Sequence, residues 1–184
     1  FELFQLDALE SVFLHYTPCW SVFLHITAPW TMCVAQSYII VNFEFNTPIP
    51  VSKYYETRLD LVARKFIERA SGQNNRLSAT VAGHTDIIGL KDRNEELSIE
   101  RSQREYDNIR RYIKFLKGFN SDEELSRWLI QHDANIDSRG YGDRMPYKSG
   151  KSSEDGRISI GDNDYPEGRS VNRRVTIEYR MESR

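Results

Sequence analysis

Residues 1–36 contain no Lys or Arg, and from Ser11 to Phe43 there is no charged residue of either sign. All 25 basic residues fall in the remainder of the chain, where acidic residues nearly balance them, and the formal net charge is -2. A chain without a basic excess has no global field to draw in nucleic acid, so a diffuse nucleic-acid footprint is excluded as its theme. Cysteine is equally scarce. Cys19 and Cys33 are the only two, both lie in the uncharged segment, and neither has a Cys or His partner at zinc-ligand spacing. Whether they form a disulfide depends on geometry that the sequence does not carry. Also missing are a Ser or Cys nucleophile motif and a third ligand to join His84 and Asp86, which stand at i, i+2. The expectation is a protein with no catalytic residue, no metal and no cofactor.

The uncharged segment is different in kind from the rest. Pro18 and Pro29 interrupt it, His15 and His25 sit within it, and the positively charged start of a signal peptide is missing. It contains a tandem decapeptide, SVFLHYTPCW at 11–20 and SVFLHITAPW at 21–30, identical at seven of ten positions and too short to build a solenoid. Three readings stand: a degenerate export signal or kinked membrane anchor with a small-residue cleavage context near Val34 to Ser37, an apolar flap on the domain, or an extension without a native role. The 184 residues suit one ordinary domain with extra sequence at an end, expected as an extension over 1–37 and a domain over 38–184.

Within the domain, Tyr38 to Phe45 is rich in β-branched and aromatic residues and predicts a strand. Tyr55, Leu59, Val62, Phe66 and Ala70 recur at helical steps within 52–71, with Ser52 as the expected N-cap and Gly72 as the stop. Leu77, Ala79, Val81 and Gly83 alternate with smaller residues as a second strand. A helix over roughly 95–117 follows, its inward stripe Tyr106, Ile109, Ile113 and Leu116, and its stop Gly118. A third helix opens on the capping box Ser121 to Glu124 and turns Leu125, Trp128 and Leu129 inward. Ala134 to Arg139 is a short strand, 146–170 a long polar surface loop, and Val171 to Tyr179 the last strand, with Val171, Val175, Ile177 and Tyr179 on its buried side. The predicted fold is α/β (α+β), a two-layer sandwich in the order β-α-β-α-(α)-β-β, with a small mixed four-stranded sheet and helices on one face.

Four blocks in this order carry a resemblance: GHTDIIG at 83–89, then Asn94 with Leu97, Ser98 and Arg101, then GYGDRMP at 140–146, then NRRVTIEY at 172–179. They closely resemble the OmpA-like peptidoglycan-binding domain, the type found at the C-terminus of OmpA and in MotB and Pal, over roughly 38–180. The resemblance implies a module of the bacterial cell envelope, in the periplasm or associated with the outer membrane. It implies a peptidoglycan partner, the stem peptide being held by the free end of its meso-diaminopimelate side chain, and it maps the defining contacts onto Asp86 and Arg101. That end is an ammonium and a carboxylate on one carbon, which an Asp and an Arg a few ångströms apart can grip, with amides of the turn into the helix adding donors. On residue types alone, simple pairing of Asp86 with Arg101 is the rival reading.

Around this pair, Thr85 and Asn94 are expected to hold the turn by side-chain to backbone bonds and to orient Asp86, Gly89 to permit a turn conformation, and Leu97 to mark the buried face of the helix one turn before Arg101. Asn46, at the end of the first strand, falls on the same rim by topology. Arg173 and Arg174 leave the last strand on opposite faces; Arg174 is counted with the site, a solvated or helix-capping role being the alternative. The sequence departs from the family pattern at Arg93, where an aromatic is usual, and at Ser102, where alanine is usual; the third helix and the 146–170 loop exceed the minimal domain. The competing functional readings are an envelope protein-protein interaction module that has lost wall binding and a metal-dependent cell-wall hydrolase. Membrane anchoring through the N-terminal segment and envelope protein partners are candidate additions.

Overall fold

The computed structural model describes residues 34–41, 43–50, 54–72, 75–147 and 161–183, with the side chains of 34–41, 75 and 183 left out. The decapeptide repeat, both cysteines, Ser52 and residues 148–160 of the polar loop lie outside the described residues. The elements run β1 (Val34–Val41), α1 (Tyr55–Ala70), β2 (Asn75–Gly83), α2 (Lys91–Lys117), α3 (Asp122–Gln131), β3 (Ala134–Gly140), α4 (Pro166–Asn172) and β4 (Arg174–Ser183). They form one four-stranded sheet in the order β1-β4-β2-β3. β4 is antiparallel to β1 and to β2, whereas β2 and β3 are parallel. β1 and β2 are therefore parallel to each other with β4 inserted between them, and α1 makes the crossover that parallel strands require. The expected fold class is the one observed.

α1, α2 and α3 turn their apolar stripes onto the sheet because each repeats at 3.6-residue steps while the strands repeat at two. Leu59, Val62, Ala63 and Phe66 meet Ile109 and Ile113, Leu125 and Trp128, and the alternating Leu77, Ala79, Val81, Val175, Ile177 and Tyr179 in a single core. Tyr106 and Leu116 are half-buried at its edge. Tyr179 keeps its hydroxyl satisfied there by donating to the Val62 carbonyl at 3.0 Å. Ser121 caps α3 as expected, its Oγ accepting from the Glu124 amide at 3.3 Å, while the Glu124 carboxylate reaches one residue further back than in a standard capping box and accepts from the Asn120 amide at 2.7 Å. α2 ends at Gly118 in the left-handed region.

Several boundaries differ from the sequence expectation. β1 begins at Val34, inside the stretch assigned to the extension, and ends at Val41; Phe43 instead bridges Pro50 across a short hairpin. α1 has Tyr54 at its N-cap with no side-chain cap. α2 starts at Lys91, four residues before the expected start, because its polar first turn carries no apolar stripe to announce it. α4 replaces the end of the expected loop and takes Val171 out of the last strand. Pro166 at its first positions is the signal passed over, since a proline there has its φ already set for a helix.

Candidate functional site

The ends of β2 and β3 approach α2 closely. A Cβ on Gly83 would lie 1.9 Å from the Ser98 carbonyl oxygen, and one on Gly140 would lie 2.5 Å from Ser98 Oγ. These two glycines are register partners, so together they let the helix rest on the strand ends with no side chain between. Ser98 Oγ then accepts from the Gly142 amide at 2.9 Å and donates to the Glu95 carbonyl at 2.7 Å. The separated GHTD, LS and GYG blocks are thus one junction, and it sets Asp86, at the exit of β2, beside the inward face of α2.

A cavity of about 180 Å³ opens at this junction, lined among others by Asn46, Thr85, Asp86, Asn94, Arg101 and Arg173. Gly89 and Leu97 line it too, with exposed Phe45 and Leu90 at its mouth. A second, more open hollow of about 370 Å³ on the first turn of α2 shares Leu90 and Arg93 with it. Every expected site residue except Arg174 therefore reaches one cavity.

Asp86 is 3% exposed. Its Oδ1 accepts from the Ile88 amide at 3.0 Å, and Arg173 Nη1 donates to its Oδ2 at 2.7 Å. Asn94 Nδ2 donates to the Asp86 carbonyl at 3.1 Å, holding the turn as expected. Gly89 takes φ +105°, a conformation that a side chain resists. Thr85 departs from expectation: its amide donates to the Gly142 carbonyl at 2.9 Å, but its buried Oγ1 has no partner. At the mouth, Asn46 takes φ +53° and accepts from Arg93 Nε at 3.2 Å through its Oδ1.

Arg101 is fully buried. It forms no ion pair with Asp86, so the simple pairing of these two residues is corrected by Arg173, which takes that place. The guanidinium instead donates to three backbone carbonyls: Nε and Nη2 to Thr47 at 3.1 and 3.0 Å, Nη2 also to Glu44 at 3.1 Å, and Nη1 to His84 at 3.0 Å. It also lies 5.0 Å from the Phe43 ring centroid. Burial, with Arg173 nearby, pushes its pKa down to about 10, and it stays cationic at neutral pH. Its bonds tie the 43–50 hairpin, itself closed by the Glu44 amide donating to the Ile49 carbonyl at 2.9 Å, to the strand exit.

Arg174 lies elsewhere. It is 5% exposed, donates from Nη2 to the Met145 carbonyl at 3.1 Å and sits 5.2 Å from the Tyr147 ring centroid. Burial holds its pKa down at about 10. The placement of Arg174 at the site is thus corrected to Arg173. The sequence pattern puts the two arginines on alternating strand positions, but Arg173 is the C-cap of α4 and only Arg174 belongs to β4. His84 is packed and neutral, its pKa lowered to about 3 by burial and then by Arg174. Its ring stacks on Tyr141 with centroids 5.5 Å apart and faces Thr176 Oγ1 at 3.3 Å. Among the described residues no group of three or more His, Cys, Asp or Glu is placed to hold a metal ion, and no helix is long and apolar enough to cross a membrane.

No protein-family model matches the chain, and no curated protein sequence matches it. Among solved structures it is similar to the periplasmic domain of MotB from Helicobacter pylori, at 15% identity over 79% of this chain and 81% of that one, with a TM-score of 0.47. It is also similar to the C-terminal domain of the same MotB, at 21% identity over 77% and 83% with a TM-score of 0.46. A third likeness is to the peptidoglycan-associated lipoprotein from Burkholderia pseudomallei, at 18% identity over 78% and 88% with a TM-score of 0.44.

Proposed function

We propose that this chain is an OmpA-like peptidoglycan-binding domain of the bacterial periplasm, which holds the wall without turning it over and anchors an envelope protein or the outer membrane to it. The ligand in this reading is the diaminopimelate end of the stem peptide. The observation that carries it is a cavity into which the exit of β2 delivers a buried carboxylate and α2 a buried guanidinium. A zwitterion on one carbon suits such a wall, because each of its charges loses water only where an opposite charge replaces it. The four motif blocks add support independent of this geometry.

The test is sedimentation of the protein with purified peptidoglycan sacculi. Wild-type protein is expected in the pellet, with Asp86→Ala weakening the association roughly tenfold or more, the usual cost of removing a charged hydrogen-bond partner. Absence of wild-type protein from the pellet, or undiminished pelleting of Asp86→Ala, sinks the reading. One observation favours an envelope protein-protein interaction module instead: the Arg101 fork is occupied by backbone. That module would itself stay in the supernatant when the sacculi are pelleted.

A further inference from the structure

Given the peptidoglycan reading, on which this inference rests, we propose that Arg173 receives the ligand's carboxylate, while Arg101 is a positioning residue that holds the 43–50 hairpin over the cavity. The division follows from counting donors. A guanidinium has five N–H groups, and a two-pronged grip on a carboxylate needs two of them free along one edge. Thr47, Glu44 and His84 take four of the five on Arg101, including both donors of its Nε/Nη2 edge and both hydrogens of Nη2. No edge is left with two free donors, short of lifting the hairpin from the strand exit.

Arg173 stands in the opposite condition. It lines the same cavity with its side chain 23% exposed, engages one acceptor through Nη1, and carries a buried Nε with no acceptor at all. Its one partner is Asp86, the residue to which the reading assigns the ammonium. A carboxylate oxygen accepts more than one hydrogen bond, so an ammonium can join Arg173 on Asp86. The attached carboxylate, one carbon away, then falls beside the arginine. The buried, unpartnered Thr85 Oγ1 lies in the wall of that cavity and can complete the shell.

The charge balance agrees. Arg93 at the mouth is answered by Glu96 at 3.1 Å and Glu100 at 3.0 Å. Deeper in, Arg101 and Arg173 face the single carboxylate of Asp86. One positive charge is left over, which an occupant bringing a carboxylate neutralises.

The test is calorimetric titration of the full chain with a soluble disaccharide tripeptide fragment, either with the side-chain carboxylate of diaminopimelate free or with that carboxylate amidated. Wild-type protein is expected to bind the amidated form about tenfold or more weakly, as loss of a charged hydrogen-bond pair implies. In Arg173→Gln that preference collapses to about twofold or less, because the partner of the carboxylate is gone. In Arg101→Lys, which keeps the charge but not the three carbonyl bonds, both forms weaken together and the preference persists. Loss of the preference in Arg101→Lys with its retention in Arg173→Gln overturns the assignment. Failure of wild-type protein to bind the free form overturns the peptidoglycan reading itself.

Discussion

The first and second halves of α2 are buried by different means. Up to Ser102 its inward face is mostly polar or charged, with Asn94, Ser98, Arg101 and Ser102 beside the one apolar Leu97, buried near the strand ends and the 43–50 hairpin. Beyond Glu105 the inward face is Ile109 and Ile113, sealed in the common core. Hydrogen bonds of fixed direction specify position in the first half, whereas area removed from water supplies most of the stability in the second. The site thus sits where the helix is best oriented, and the adhesion that keeps it there comes from one to three turns away. Glu105 marks the border. It donates nothing, accepts from the Tyr55 hydroxyl in a short bond, and has Arg104 no nearer than 4.0 Å on its other oxygen.

The contrast is broken most strongly from the core side. Phe66 is fully buried, with ring centroids 6.4 Å from Trp128 and 6.2 Å from Tyr179. Phe66→Ala is expected to lower unfolding free energy by about 3–5 kcal/mol in urea titrations. Protein still folded is expected to keep the proposed affinity for the disaccharide tripeptide, and a loss larger than the unfolded fraction explains would show that the two halves are not separable.

The next effect belongs to the site side and depends on pH. His84 is neutral when folded, with its pKa lowered to about 3 from an ordinary value of 6.5. Between those values the unfolded chain binds the extra proton, so stability from this residue is complete above about 6.5 and is lost as pH falls toward 3. The loss is on the order of a few kcal/mol, and His84→Phe is expected to flatten this acid limb. An unchanged pH slope in the variant would place the acid sensitivity elsewhere.

The smallest change sharpens the border itself. Burial raises the pKa of Glu105, so its carboxyl costs nothing below the ordinary carboxylate range and destabilises as pH rises through the elevated value. Glu105→Gln preserves the bond from Tyr55 and removes the charge. It is expected to stabilise by about 1 kcal/mol at pH 8 and to leave stability at pH 4 unchanged. Equal effects at both values would show that the carboxylate is compensated where it lies.

Much of the molecule was legible because it is written in local periodicity. The stripes Leu59, Val62, Phe66 and Ile109, Ile113, and the alternation Leu77, Ala79, Val81, each name an element and its buried face without reference to the rest of the chain. Asn94, Gly89 and Asp86 were legible for a related reason, since a turn between two such elements needs side-chain bonds and a permissive glycine within a few residues. Arg101 was legible as a buried cation, being one turn past Leu97 on the inward face.

Beyond that, the sequence by itself determined the two-layer class, the helices and strands, and the acid at the exit of β2. Only the tertiary structure decided that β4 inserts between β1 and β2, that Thr47 and Glu44 answer Arg101, and that Arg173, not Arg174, meets Asp86. The physical reason is range. Periodicity reports what a segment does with its own faces, but the bonds that bring the hairpin to Arg101 and Arg173 to Asp86 join residues 54 to 87 positions apart. Which of two adjacent arginines reaches the cavity turned on where a seven-residue helix ends, which leaves Arg173 as its C-cap beside Asp86 and Arg174 on β4 beside Tyr147.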